Sequence, residues 1–128
     1  MLRNQDQYIY KLVSYIEKTL SITVKIGKWK NEENLPLLLK EQYSFYVIHL
    51  LNTDHLIFTE NRENRNTPAV ISKHCKMLTQ YWTGGIIYSK NTLSSTDRTR
   101  LIQAKIPFII PEKQLYLPFL GINLKEIF

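Results

Sequence analysis

The chain has 128 residues, 44% of them hydrophobic and 22% charged, a balance that suits one soluble globular domain with its own core. No apolar run reaches the roughly 20 residues of a membrane span, Met1–Asp6 lacks the apolar stretch of a secretion signal, and the single Cys75 excludes an internal disulfide. A cytoplasmic, reducing environment is therefore the expectation. The net charge of +6 is uneven: residues 1–69 hold 9 basic and 8 acidic side chains, residues 70–128 hold 8 and 3. The basic residues are dispersed, which favours a solvated basic face over a tight nucleic-acid patch.

The first predicted element is an amphipathic helix over Tyr8–Leu20, with Ile9, Leu12, Val13, Ile16 and Leu20 at helical spacing. Ile22, Val24 and Ile26 then alternate with polar residues as a half-buried strand that Gly27 ends. A polar loop over Lys28–Asn34 leads to a short helix opened by Leu35-Pro36 and running to Gln42, with proline suited to the first turn. Two β-prone runs, Ser44–Leu51 and Leu56–Thr59, flank Asn52-Thr53-Asp54-His55 and predict a hairpin. Glu60–Asn66 has no apolar residue and reads as an exposed, mobile loop.

Thr67 and Pro68 are an N-cap and first-turn pair for a helix reaching to about Trp82, with Gly84-Gly85 as its stop. Ile86–Tyr88 is a short buried strand, and Ser94-Ser95-Thr96-Asp97 starts another helix in the manner of a capping box. Phe108–Ile110 forms the next strand, Pro111-Glu112-Lys113 a turn, and Leu115–Leu117 a second extended run, since proline confines strands to its flanks. Leu124–Phe128 reads as the opening of a further helix. Helices alternating with short apolar strands imply right-handed crossovers. The expected fold is a single α/β domain over residues 1–128, with a mixed, mostly parallel sheet flanked by helices.

The chemistry-bearing residues are few. Gly84-Gly85 follows a helix and precedes a strand, the reverse of a phosphate-binding turn. His49, His55, His74 and Cys75 lack convergent ligand spacing, so neither a metal nor a cofactor is expected. Ser94 and Ser95 are cap residues with no nucleophile motif around them. A restriction-type, Mg²⁺-dependent nuclease would need a carboxylate on one strand and Glu-x-Lys on the next. Asp54 and Glu60-Asn61-Arg62 are the nearest match, with Arg62 in place of lysine. For phosphate or an acidic partner, Lys90, Arg98 and Arg100 gather near a helix start, with Tyr88 able to stack.

The segment Leu101–Glu126, containing Ile106-Pro-Phe-Ile-Ile-Pro-Glu-Lys-Gln-Leu-Tyr-Leu-Pro-Phe-Leu-Gly121, resembles the N-terminal α/β region of bacterial proteins classed as MarR-type transcriptional regulators. The resemblance extends back through Thr67-Pro68 and Trp29–Tyr46. In those proteins a winged helix-turn-helix follows, and no such segment occurs up to Phe128. The resemblance thus implies sensing, dimerisation or interdomain contact, with DNA reached through the domain missing here. Homo-oligomerisation or a protein partner is expected at Tyr116, Leu117, Pro118, Phe119, Ile127 and Phe128, where apolar residues crowd the end of the sequence. A stand-alone interaction protein of the toxin–antitoxin or phage-defence kind, and the nuclease, are the alternatives.

Overall fold

Residues 4–60 and 66–125 are described by the computed structural model. The chain runs α1 (Asn4–Leu20), β1 (Lys25–Lys28), α2 (Leu37–Gln42), β2 (Tyr43–Leu50), β3 (Thr53–Glu60), α3 (Pro68–Leu78), β4 (Ile86–Ser89), α4 (Ser95–Gln103), β5 (Phe108–Ile110), β6 (Gln114–Leu117) and β7 (Ile122–Lys125), with 3₁₀ turns at Lys30–Asn34 and Pro118–Leu120. All seven strands join one sheet in sequence order. The α/β class holds, but the sheet is not mostly parallel. Only β3–β4 and β4–β5 pair in parallel; the other four pairings are antiparallel. The reason is connection length. Only α3 and α4 give the chain enough length to return to the same end of the sheet, whereas the hairpins reverse it within a few residues.

Strand alternation sends two sets of side chains to opposite faces. On one face Phe45, Leu56, Phe58, Tyr88 and Phe108 pack under Leu39 of α2, Ile71 and Leu78 of α3 and Leu101 of α4. Tyr43 and Phe58 meet edge to face at 5.0 Å and 82°, an arrangement that adds to plain burial. On the other face Ile48, Ile57, Ile87, Ile109 and Leu115 pack against Leu12, Tyr15 and Ile16 of α1. Both crossover helices therefore lie on one face, and among the described residues α1 is the one helix on the other. Six strand spacings make the sheet about 29 Å across, while one helix with its side chains is about 10 Å wide. The α1 face is under-covered, most of all beside β7.

Local chemistry sets the element ends. Thr67 Oγ1 accepts from the Val70 amide at 3.3 Å and Ser94 Oγ from the Asp97 amide at 3.1 Å, as their N-cap positions predict. The β2–β3 turn is tighter than expected: Leu51 and Asn52, both at positive φ (51° and 66°), form it, and Thr53, Asp54 and His55 belong to β3. Two successive left-handed residues give the twist a two-residue hairpin requires. Helix α3 ends at Leu78, short of Trp82. The two glycines have other roles. Gly84 sits at φ +119°, and a Cβ on Gly85 would lie 2.5 Å from His55 Nδ1. Residues 122–125 are a strand, not the start of a helix. Ile122 and Leu124 pair with Leu117 and Leu115, so the alternation belongs to a hairpin.

Candidate functional site

The C-terminal ends of β3 and β4 carry a buried polar network on the α3 side. Tyr43, at the start of β2, lies opposite Glu60, at the end of β3. Asn66 Nδ2 donates to Gln42 Oε1 at 2.8 Å and to the Tyr43 hydroxyl oxygen at 3.0 Å. The Tyr43 proton is then left for His74 Nδ1, 2.6 Å away. This bond holds His74 as the neutral Nε2–H form. Burial, with Lys73 nearby, pushes the His74 pKa down in the same direction. Burial and the Glu60 charge push the Tyr43 hydroxyl well up, so it remains a donor.

Beside this chain, the Tyr88 hydroxyl donates to Glu60 Oε1 at 2.6 Å, and Lys90 Nζ stands 3.6 Å from Glu60 Oε2. The Glu60 side chain is only 1% exposed. Desolvation raises its pKa; the Tyr88 hydrogen bond and Lys90 oppose that rise. The predicted exposed loop at Glu60 is therefore corrected for this residue: it ends a strand and its carboxylate is enclosed. The rest of that loop, residues 61–65, lies outside the described residues. On the opposite face Ser89 Oγ donates to the Ile109 carbonyl at 2.9 Å and is bonded to the Tyr8 hydroxyl of α1.

The predicted phosphate residues do not converge. Lys90 is committed to Glu60. Arg98 turns toward the sheet, its Nη1 donating to Gln114 Oε1 at 3.4 Å. Arg100 is exposed, and side chains two apart on a helix do not face each other. Asp54 and Glu60 stand at opposite ends of β3, about 20 Å apart at the ordinary strand rise, so they cannot share an ion. The residue opposite Glu60 is Tyr43, not a second carboxylate. Asp54 instead meets His49 at 2.7 Å on the surface. Among the described residues no three His, Cys, Asp or Glu side chains cluster as metal ligands. Cys75 is half-buried, and burial pushes its thiol up to about 11, away from the reactive thiolate.

The predicted interface run divides. Leu117 is fully buried under α1 and offers no surface. Tyr116 is half-buried on the other face, its ring 5.5 Å from that of Phe108. These two are core positions because neighbouring residues of β6 point to opposite packed faces. Pro118 is exposed, and Phe119 is 42% exposed. Its ring stacks on His55 at 5.0 Å and 30°. Ile127 and Phe128 lie outside the described residues.

His55 is a residue the sequence reading left in a turn. It is 3% exposed, wedged between Phe119 and Gly85, with no hydrogen bond of ordinary geometry to either ring nitrogen. Burial pushes its pKa down, against the opposing charge of Asp54. A second feature left no sequence signal: a groove of about 820 Å³ between α1 and β7, lined by Tyr10, Lys11, Lys18, Leu124 and Lys125 among others. Its residues come from the two ends of the chain, so only the fold assembles it. Comparisons with protein-family models, curated proteins and solved structures give no match.

Proposed function

We propose that this α/β domain is the sensing and assembly part of a bacterial DNA-binding transcriptional regulator, joining copies or domains rather than reading bases. The observation that carries the reading is the apolar surface left at the β6–β7 end of the sheet. Pro118 and Phe119 stand exposed on the 3₁₀ turn there, beside a face that α1 alone cannot cover. The sequence resemblance over Leu101–Glu126 points the same way. Strands separate each pair of successive α-helices, β1 between α1 and α2, β2 and β3 between α2 and α3, and β4 between α3 and α4, so among the described residues no helix-turn-helix forms a base-reading surface.

The test is sedimentation of the chain over a concentration series, with Phe119→Asp alongside. The expected result is self-association of the parent chain and a monomeric variant whose melting temperature stays close to it. A parent chain that is monomeric at every concentration removes the assembly role. The mass of the protein from its source cells tests the other half: a mass well above that of these 128 residues is expected if a DNA-reading domain accompanies the segment. The nuclease reading is the weaker one, because a single carboxylate beside Lys90 lacks the second acid that Mg²⁺ chemistry needs.

A further inference from the structure

A stacked pair of rings ties the Pro118–Leu120 turn to the sheet. Strands β3, β4 and β5 run parallel and begin at one end of the sheet, and β6, antiparallel to β5, finishes there. The turn follows β6 directly. His55, near the start of β3, lies opposite Ile48 on the α1 face. Three strand spacings, about 14 Å, separate β6 from β3. The turn therefore bends back across the starts of β5 and β4 before Phe119 stacks on His55 at 5.0 Å and 30°. Gly85, just before β4, lets the rings meet there. A Cβ on it would lie 2.5 Å from His55 Nδ1 and 3.2 Å from Phe119 Cζ.

His55 is covered without being satisfied. It is 3% exposed, and neither ring nitrogen has a hydrogen-bond partner of ordinary geometry. Its cover, Phe119, is 42% exposed, so water stands just beyond that ring. A neutral imidazole packs in such a place as a flat, largely apolar body. An imidazolium carries two N–H donors and a full charge. Burying these unbonded costs more than the attraction of the charge to an aromatic face recovers. The Asp54 carboxylate, itself bonded to His49 at 2.7 Å, and the Leu50 carbonyl favour the charged ring, and charge on His49 opposes it. Gly85 and the residues Pro118, Phe119 and Leu120 bring no titratable side chain. Burial outweighs Asp54 and pushes the His55 pKa down. The smallest motion that gives a charged His55 water is the withdrawal of Phe119.

We propose that His55 is a pH-sensitive latch on the Pro118–Leu120 turn. The neutral ring holds Phe119 over Gly85. When the ring takes up a proton, Phe119 swings out, water reaches the imidazolium, and Leu120 loosens from the α1-face core against which it packs. Acid thereby changes the surface that the molecule presents at the β6–β7 end. The inference does not rest on the assembly reading, because the latch acts within one chain.

The test is an NMR titration of the whole chain from pH 8 to 4, in a sample dilute enough to sediment as a monomer. A nuclear Overhauser contact between the His55 and Phe119 rings is expected at pH 8 and lost in acid. Its loss should share one midpoint with the His55 ring shifts and the Phe119 and Gly121 amides, below the ordinary histidine value of about 6.5. The Ile87 and Phe108 amides should hold their positions through that midpoint. Phe119→Ala removes a half-exposed ring and leaves the buried core intact, and it should move the His55 midpoint up toward about 6.5. His55→Phe keeps a stacked ring without a titratable group, so its turn should stay closed throughout. Three results each overturn the proposal: a ring contact that persists once His55 is charged, a His55 midpoint that Phe119→Ala leaves unmoved, and a His55 that stays neutral until the core amides collapse. Should His55→Phe fail to fold, the Phe119→Ala midpoint decides.

Discussion

At the scale of single residues, several side chains sit in conditions that ordinary burial or turn rules disfavour. Leu51 holds φ +51° at a hairpin turn, a conformation that suits asparagine or glycine and strains a leucine. Since Leu51 is 49% exposed, little packing is lost on replacing it. Leu51→Asn should raise stability by about 0.5–1 kcal/mol, read as a higher melting temperature. His55 and Glu60 make opposite contributions to pH dependence. The His55 pKa is lowered in the fold, so its stabilising share is present above the unfolded value of about 6.5 and is lost as pH falls through the folded one. The Glu60 pKa is raised, so its share is full below about 4.5 and is lost as pH rises through the folded value. Urea midpoints measured between pH 8 and 4 should therefore change slope in opposite senses in His55→Asn and Glu60→Gln, the first flattening the loss below pH 6.5. Equal slopes in both variants and the parent chain would show that neither group titrates inside the fold.

At the scale of elements, the caps and the hairpins do the local work. The Ser94 hydroxyl caps α4 through the Asp97 amide at 3.1 Å, and α4 is a short helix whose one fully buried side chain is Leu101. A helix of this length depends on its cap and on tertiary packing more than on propensity. Ser94→Ala should thus cost about 1 kcal/mol, and Leu101→Ala about 2–5 kcal/mol through the cavity it leaves, both measured by chemical denaturation. The caps were legible because Thr67-Pro68 and Ser94 carry their hydrogen-bond partners within three residues. The β2–β3 turn was not, because nothing in Leu51-Asn52-Thr53-Asp54 marks leucine as the left-handed residue. Strand β7 was misread for a related reason: Ile122 and Leu124 gain meaning as an alternating pair only opposite Leu117 and Leu115.

At the scale of the molecule, the centre of the sheet is its most protected part. Ile57, Phe58, Ile87, Tyr88, Phe108 and Ile109 are fully buried, with helices on both faces, whereas β1 and β7 are edges with mostly exposed side chains. Amide exchange should be slowest in β3, β4 and β5 and fast in β1 and β7, following the local opening energies of core and edge strands. Slow exchange confined to β7 in a concentrated sample would instead mark that edge as paired with another chain. The under-covered α1 face follows from the same arithmetic of one helix against seven strands. It concentrates the exposed Tyr10, Leu124 and Phe119 on one side of the molecule.

The sequence alone determined the α/β class, the alternation of helices and short apolar strands, the two N-caps and the strand Phe108–Ile110. Each of these depends on hydrogen bonds or periodicity within a few residues. The tertiary structure decided the rest. Glu60 lies in the most polar stretch of the chain, yet it is enclosed because Tyr88, 28 residues later, donates to it. Tyr116 and Leu117 look alike as apolar neighbours, yet strand pairing sends them to opposite packed faces. The groove joins α1 to β7, the two ends of the described chain. Its lining residues meet only because the sheet brings those ends together, and no local pattern encodes a meeting across more than a hundred residues of chain.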